Sequence, residues 1–474
     1  MYRKKELYKY LAMLVALIAV MKLSGGAGFV VVIPLALLAL SRRESVSVLF
    51  WVLMCTSMLM ANGNIVSKDV VFALSQRALL VVIGFVSILQ LGGQKLSQVS
   101  KPFMIMYAYV FFMIVPSLVG WNPKISLLKI ALFTMIYSAY FGVAISVARN
   151  NSQNTARRLR AVVLAVSAFF VFGSIALVPF PGLSQMKAEA FMENPELTSL
   201  FTGMTNHSQA LGPLISSIAV FLFADLLFSI RKFDKLYGGL LLCCPYLIYK
   251  TSSRTGMGSF LLGLGFVVWQ FMNARGLSSR WKAKVMNLVS MFVLGALVAV
   301  LAVPPIQAKV AKFILKWQGD EEVSIQNVVS ARQGKFVDAI DNFKKSPLVG
   351  NGFQVTEAHK DMKGGLLVLS APIEKGVWVS AVLEEGGIIG FTIFIVFLFV
   401  CIVGSMRKRA YITASCLFVA TLTNLGEFTF FSMTYTGGFI WAMVFTGIAM
   451  DAQRLKEQGR MKILEEQMRM QQRW

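Results

Sequence analysis

Two arginines have the residue type and the surroundings to bind a phosphate group. Arg254 stands at the junction of two long hydrophobic segments, and Arg332 precedes a short amphipathic segment. A charge at membrane depth costs free energy and is a functional candidate by default, although an arginine can also extend its side chain to the membrane surface. Because the planar guanidinium donates two parallel hydrogen bonds to phosphate oxygens, Arg332 in particular suits a lipid headgroup.

A predicted helix and a glycine turn follow Arg332. Four apolar residues share one face of this helix: Phe336, Ala339, Ile340 and Phe343. Ser346-Pro347 ends the helix, and Gly350-Asn-Gly352 predicts a flexible turn. The turn lacks the strand and helix context of a nucleotide-binding loop, so on its own it identifies no ligand. The helix is expected to lie at the membrane surface and to hold Arg332 there.

Three titratable groups suit catalysis: His207 and two glutamates that are next to each other in the sequence, Glu384 and Glu385. A single histidine at the start of a hydrophobic span more often makes a structural hydrogen bond, and contact with a substrate is the alternative. The two glutamates precede an apolar run, where acids also stabilise a helix N-terminus. The acidic stretch 319–322 has no metal-ligand pattern, and the five cysteines all fall inside hydrophobic runs, so neither a metal site nor a disulfide is predicted.

The elements that must position these residues are transmembrane helices. The chain is 56% hydrophobic and 15% charged, with a mean hydropathy of +0.66. Its apolar runs have the length of membrane-crossing helices, not of barrel strands, so an all-α polytopic membrane protein is predicted. About fourteen spans are expected. They lie near residues 7–23, 27–40, 46–62, 70–92, 102–120, 126–148, 160–180, 209–230, 236–250, 256–273, 285–303, 387–404, 411–425 and 435–450.

The charge distribution predicts the orientation of the spans. The net charge is +23, but the cations concentrate in short loops between alternate spans, which argues against nucleic acid as a partner. By the positive-inside rule these loops and both termini are cytoplasmic. The predicted organisation is a bundle over residues 1–303, a large outer loop with amphipathic helices over 304–386, further spans over 387–450 and a cytoplasmic tail over 451–474.

Four segments on the predicted outer face occur in a characteristic order: Asn206–Gly212, Ser253–Gly256, Arg332–Gly352 and Leu383–Gly390. The first segment is a His/Asn-containing start of a span, and the second is a Ser-Arg-Thr-Gly turn. The third contains an arginine and an amphipathic helix before Pro-Leu-x-Gly-x-Gly, and the fourth is a Leu-x-Glu-x-Gly opening of a late span. Together they resemble the signature of the bacterial O-antigen ligase/polymerase family of lipid-linked glycan transferases. The resemblance covers roughly residues 200–405.

The resemblance implies a GT-C-like enzyme of the bacterial inner membrane that works at the periplasmic face without a cofactor. Members move a glycan from an undecaprenyl-pyrophosphate carrier to an acceptor sugar hydroxyl, and a flippase and chain-length regulators are implied as further partners. Arg254 and Arg332, with Lys335 and Lys375, would bind the pyrophosphate, which is already a good leaving group. A carboxylate or imidazole would deprotonate the attacking hydroxyl and invert the anomeric centre without a metal.

One departure from the family pattern concerns the general base. Many members carry a His-Asn pair about nine residues before the Glu-x-Gly motif, whereas this chain reads Pro372-Ile-Glu-Lys-Gly there. Glu374 therefore becomes a candidate base beside Glu385 and His207. His359 replaces the missing histidine only if the outer loop folds back.

Three functions remain open from the sequence. The leading hypothesis is a polymerase of lipid-linked repeats. The missing His-Asn pair favours it over a ligase that transfers finished glycan to lipid A-core. The two differ only in the acceptor. A transporter or flippase is the third, but it would place ionisable residues near the membrane midplane, and the middle regions of the predicted spans are nearly free of charge, with Asp225 close to a cytoplasmic end.

Overall fold

The protein is helical throughout the part of the chain that the computed structural model describes. That part comprises residues 4–41, 44–66, 69–91, 96–150, 153–185, 200–230, 234–274, 277–302, 336–357, 375–426 and 428–471. It has no strand, only two isolated antiparallel bridges, Ala61 to Thr205 and Gln185 to Phe201. The helices are α1 (Lys4–Ser24), α2 (Ala27–Val30), α3 (Val32–Ser41), α4 (Ser45–Met60), α5 (Val70–Leu91), α6 (Ile105–Val119), α7 (Pro123–Asn150), α8 (Gln153–Leu177), α9 (Pro181–Ser184), α10 (Ser208–Asp225), α11 (Lys235–Lys250), α12 (Arg254–Asn273), α13 (Ser279–Ala302), α14 (336–345), α15 (Trp378–Arg407), α16 (Tyr411–Thr423) and α17 (Thr436–Gln471).

Eight of the described helices are long and apolar enough to cross a membrane, by length and composition. They are α1, α5, α6, α7, α8, α10, α12 and α15, and three shorter apolar helices accompany them. Every predicted span coincides with a helix, with α2 and α3 sharing one. The all-α membrane fold class is therefore confirmed, while the number of helices that cross the bilayer stays a prediction.

Helix ends that the sequence places on one side of the membrane meet in the structure. At the loop end, formed by residues 61–66, 200–207 and 346–357, the side-chain Nδ2 of Asn62 donates to the carbonyls of Leu183 (2.7 Å) and Gly203 (3.0 Å). At the basic end, formed by residues 44–45, 96–100 and 408–410, Arg158 pairs with Glu6 and Glu44. These contacts agree with alternating directions for the helices that they join, while the orientation of the whole bundle stays a prediction.

The structure adds detail at two predicted boundaries. α15 consists of two helical segments that meet at a break at Gly387 (φ 60°, ψ −166°), so the span expected from residue 387 corresponds to the second segment, and the first segment, from Trp378, was not predicted. Glu384 and Glu385 lie in the first segment just before the break, where their side chains pair with Lys375. α17 continues without interruption to Gln471, so most of the predicted tail extends the last span as a helix.

The amphipathic helix expected before the glycine turn is present as α14. It ends at Ser346, as predicted. The residues of its apolar face are not all buried, however: Ala339 is 3% exposed, whereas Phe336 is 46% exposed. Only part of that face therefore packs against the bundle.

An aromatic cluster fills the core beneath the loop end. The ring of Phe353, from the segment after α14, lies 5.7 Å from Phe133 of α7 and 5.1 Å from Phe431 between α16 and α17. Tyr109 of α6 stacks on Phe431 at 5.3 Å. Burial of this much aromatic surface fixes the loop between helices that are far apart in the sequence.

Candidate functional site

The loop after α14 lies across the break in α15. The backbone N–H groups of Asn351 and Gly352 donate to the carbonyls of Glu384 (2.9 Å) and Glu385 (3.1 Å), just before the break. The N–H groups of Ile388 and Ile389, just after it, donate to the carbonyls of Pro347 (2.9 Å) and Leu348 (3.2 Å). The loop thus satisfies backbone groups that an interrupted helix leaves without partners.

Glycines permit this close approach. Gly350 has φ +80°, and a Cβ there would lie 2.3 Å from the carbonyl carbon and oxygen of Glu385. Gly387 has φ +60°, and a Cβ there would lie 2.4 Å from the carbonyl carbon and oxygen of Leu348. Both positions combine a left-handed backbone with a contact that only hydrogen fits. The predicted Gly350 and Gly352 turn is therefore a docking surface for the broken helix.

Asn351 ties this loop to three other elements. Its side-chain Nδ2 donates to the carbonyl of Asn342 in α14 (2.8 Å) and more weakly to that of Glu384 (3.3 Å). Its carbonyl accepts from the N–H of Trp121 (3.3 Å), in the turn between α6 and α7. Asn342 in turn donates its Nδ2 to Oε1 of Glu384 (3.2 Å). The segment from α14 to residue 352 is consequently held as one unit with α15.

Polar side chains hold the next three residues of the loop. Ser126 Oγ donates to the carbonyl of Phe353 (3.0 Å). The carbonyl of Gln354 accepts from Lys129 Nζ (3.0 Å), and that of Val355 accepts from Lys375 Nζ (2.6 Å). Gln354 itself has φ +51°, a left-handed conformation that costs a non-glycine residue about 1–2 kcal/mol and persists only where its surroundings enforce it.

A buried group of charges lies beneath the same loop. Lys375 Nζ is 3.1 Å from Oε1 of Glu385 and 3.4 Å from Oε2 of Glu384. Lys129 lies within electrostatic reach of both Glu385 and Lys375. The exposed fractions of Lys129 and Lys375 are 4%, that of Glu384 is 2% and that of Glu385 is 0%. Two basic and two acidic side chains thus share one buried site.

A second contact joins the two earlier motif segments. Gly212 of α10 faces Gly256 of α12, and a Cβ on Gly256 would lie 2.9 Å from the carbonyl carbon of Gly212. Ser216 Oγ donates to the carbonyl of Gly256 (2.6 Å). The small residues around Arg254 therefore permit the close helix approach that their types predict. Since α10 and α12 both begin here, the contact brings the starts of these helices together.

His207 and Ser253 are the N-caps of these two helices. The imidazole Nδ1 of His207 accepts from the N–H of Gln209 (3.0 Å), and Ser253 Oγ accepts from the N–H of Gly256 (3.1 Å). With Nδ1 as an acceptor, a neutral His207 carries its proton on Nε2 and offers a hydrogen-bond donor there. This geometry supplies the structural hydrogen bond expected of a single histidine at the start of a span.

Hydrogen bonds through Met60 and Asn424 place two contacts at the loop end, the loop docked on the break in α15 and the contact of Gly212 with Gly256. The N–H of Asn206 donates to the carbonyl of Met60 (3.0 Å), and Thr436 Oγ1 lies 3.4 Å from the Met60 sulfur. Asn424, at the end of α16, accepts from the N–H of Trp378 (3.1 Å). Its side chain also accepts from the N–H of Phe430 (2.8 Å) and shapes the buried segment between α16 and α17.

Several predicted site residues lie outside the described ranges: Arg332, Lys335, His359 and Glu374. Their predicted roles therefore stay predictions. Within the described part of the chain, no three His, Cys, Asp or Glu side chains form a metal-ligand group.

Two buried basic residues within the predicted spans were not among the predicted site residues. Arg77 in α5 is 6% exposed and Lys129 in α7 is 4% exposed, and both lie near the starts of their helices. At the basic end, Asp225 accepts from Arg160 Nε (2.7 Å) and from the hydroxyl of Tyr237 (2.6 Å). A lysine or arginine within an apolar run was the available signal, because such residues are rare there and face the protein interior.

These observations define an all-α membrane protein with an interlocked loop and a paired-glycine helix contact at one end. Comparison with models of protein families and with curated protein sequences finds no match. The resemblance to the O-antigen ligase family therefore rests on the sequence motifs and stays a prediction.

Proposed function

We propose that this chain is a polysaccharide polymerase of the bacterial inner membrane. It transfers glycan from an undecaprenyl-pyrophosphate-linked donor to the sugar hydroxyl of a lipid-linked acceptor at the periplasmic face, with inversion and without a metal. The observation that carries the proposal is the pairing of the four motif segments. Gly350–Gly352 docks on Glu384–Gly387, and Gly212 packs on Gly256, with both contacts at the loop end.

The proposed donor site lies at the starts of α10 and α12. Arg254 stands at the first position of α12, where the helix N-terminus adds partial positive charge to its own. Arg332, Lys335 and Lys375 complete the predicted cationic set, although Lys375 is already paired with two carboxylates. Charge stabilisation of a departing pyrophosphate is the main demand of this reaction, and arginine meets it through bidentate hydrogen bonds.

Among the candidate bases, the geometry favours those in the outer loop. The Glu385 carboxylate is fully buried and paired with Lys375, so a substrate hydroxyl has no direct access to it. His207 caps α10 through its Nδ1, which accepts from the N–H of Gln209, and this structural hydrogen bond makes it a weaker candidate for proton abstraction. The proposal therefore assigns the general base to Glu374, with His359 as the alternative, and such a base contributes about 10²–10⁴-fold.

A ligase remains the alternative within the same family, because it uses the same donor site and a different acceptor. A lipid-linked substrate transporter is the alternative from another class. No single observation favours either over the polymerase.

The test measures polymer in cells that carry Arg332→Ala or Arg254→Ala at verified normal membrane abundance. The matched control is Arg280→Ala, because Arg280 is exposed and lies in the first turn of α13, after a predicted cytoplasmic loop. Polysaccharide and undecaprenyl-linked intermediates are separated on the same gel.

Loss of polymer with accumulated single lipid-linked repeats in both variants, and a normal pattern in the control, is the expected result. Accumulated long lipid-linked chains would instead identify a ligase. Unchanged polymer in both variants would refute the pyrophosphate site and favour the transporter alternative.

A further inference from the structure

Four ionisable residues from three separate segments meet beneath the loop end. Lys129 comes from α7, Lys375 precedes α15, and Glu384 and Glu385 belong to α15 just before its break. None of the four is more than 4% exposed, and the charges balance two against two. We call these four residues the buried charge cluster.

Both lysines of the cluster donate a hydrogen bond to the loop, and Lys375 also pairs with both carboxylates. Lys375 contacts both glutamates and donates to the carbonyl of Val355. Lys129 donates to the carbonyl of Gln354 and lies within electrostatic reach of Glu385. The two lysines therefore link consecutive residues of the loop to the acids of the broken helix.

Charge balance explains why Lys129 is needed in addition to Lys375. Without Lys129, one ammonium group would face two carboxylates in a site that excludes water. An uncompensated buried charge is strongly unfavourable, whereas removal of both members of a buried pair is often tolerated. The left-handed Gln354, held on one side by Lys129, would also lose the contact that helps to enforce its conformation.

We propose that Lys129 and Glu385 are positioning residues, which hold the 350–355 loop on the broken helix by keeping the buried charge cluster neutral. Neither residue contacts the substrate. The consequence for catalysis rests on the proposed function: α14 and the docked loop stand between the stretch that carries Arg332 and the stretch that carries Glu374, so docking fixes the described residues from which both stretches extend.

The first test reads loop docking without any assay of activity. Val355→Cys places a thiol at a position that is 0% exposed, and Leu348→Cys places one at a position that is 63% exposed. Each reporter is combined with Lys129→Met and with the pair Lys129→Met/Glu385→Gln, and the purified proteins in nanodiscs react with a maleimide. Proteins without a reporter give the signal of the five native cysteines.

Lys129→Met is expected to accelerate labelling at position 355 by at least about 10-fold, equivalent to about 1.4 kcal/mol of lost docking. The neutral pair is expected to return the rate towards that of the parent, while labelling at 348 stays fast throughout. Unchanged labelling in Lys129→Met, or equal rates in the single and paired variants, would refute the proposal. Where Lys129→Met does not accumulate, recovery of accumulation by the pair supports it, and failure of both refutes it.

The second test measures polymer in the same variants without the reporters. Lys129→Met is expected to lower the rate at saturating donor with little change in donor affinity, and the neutral pair is expected to recover it. A pair that docks normally yet stays inactive would show that Glu385 acts directly and would overturn its assignment. If the parent itself makes no polymer, the proposed function fails while the labelling result stands by itself.

Discussion

Gly350→Ala is the substitution that addresses the interlocked loop most directly. Gly350 has φ +80°, and the new Cβ would lie 2.3 Å from both the carbonyl carbon and the oxygen of Glu385. These are backbone atoms of a helix, so they cannot rotate away as the end of a flexible side chain does. The loop must therefore move off α15 to accommodate a single methyl group.

The expected magnitude follows from the contacts that this movement breaks. A left-handed backbone costs alanine about 1–2 kcal/mol relative to glycine. Displacement also removes the hydrogen bonds from Asn351 and Gly352 to the Glu384 and Glu385 carbonyls. Each buried group left without a partner costs about 1–3 kcal/mol, so docking is weakened by about 3–8 kcal/mol. Even the lower limit corresponds to an undocked fraction about 100-fold larger.

The assay is maleimide labelling of Val355→Cys in nanodiscs, with Gly63→Ala as the matched control. Gly63 also lies in a loop at the same end, but a Cβ there would have nothing within 4 Å. We expect rapid labelling in Gly350→Ala and parental labelling in Gly63→Ala. Parental labelling in both variants would refute the argument, because it would mean that the loop does not dock on the broken helix as described.

Three further substitutions test other parts of the structure. Gly256→Ala should separate α10 from α12 and lower both the melting temperature and polymer yield, whereas Gly258→Ala, with open space around its Cβ, should change neither. Gln354→Gly should raise the melting temperature slightly, since it relieves about 1 kcal/mol of left-handed strain, and a clear decrease would contradict this. Asp225→Asn should leave Arg160 buried without its counter-charge and cost about 3–5 kcal/mol, measured as a lower melting temperature, which Asp225→Asn/Arg160→Met should partly recover.

The helices and their alternation could be predicted from the sequence because both depend on local composition. Apolar length identifies a span, and the excess of Lys and Arg in alternate loops orders the directions. The end of α14 at Ser346 was equally local, since Ser346-Pro347 stops a helix through chain geometry. The Gly350 and Gly352 turn was also visible, but only as a turn.

The partners of these residues were not predictable, because they depend on contacts between distant segments. Glu384 and Glu385 looked like the start of a helix, since an apolar run follows them and acids suit that position. The structure instead begins α15 at Trp378 and breaks it at Gly387, where the loop supplies the missing hydrogen bonds. No local pattern indicates that the N–H groups of residues 351 and 352 will donate to carbonyls at a helix break more than thirty positions away.

The distribution of buried charge favours chemistry at one end over a path through the bundle. Between Ser208 and Asp225, α10 has no ionisable side chain over about 26 Å, and the part of α15 between Glu385 and Arg407 has no acidic or basic residue. Arg77 lies seven residues, or about 10 Å, from the start of α5 at the loop end. A proton or ion relay needs ionisable groups near the midplane, whereas the described ones gather at the two ends. Since the buried charge cluster supports the glycine loop at the loop end, this separation favours a reaction at the membrane surface.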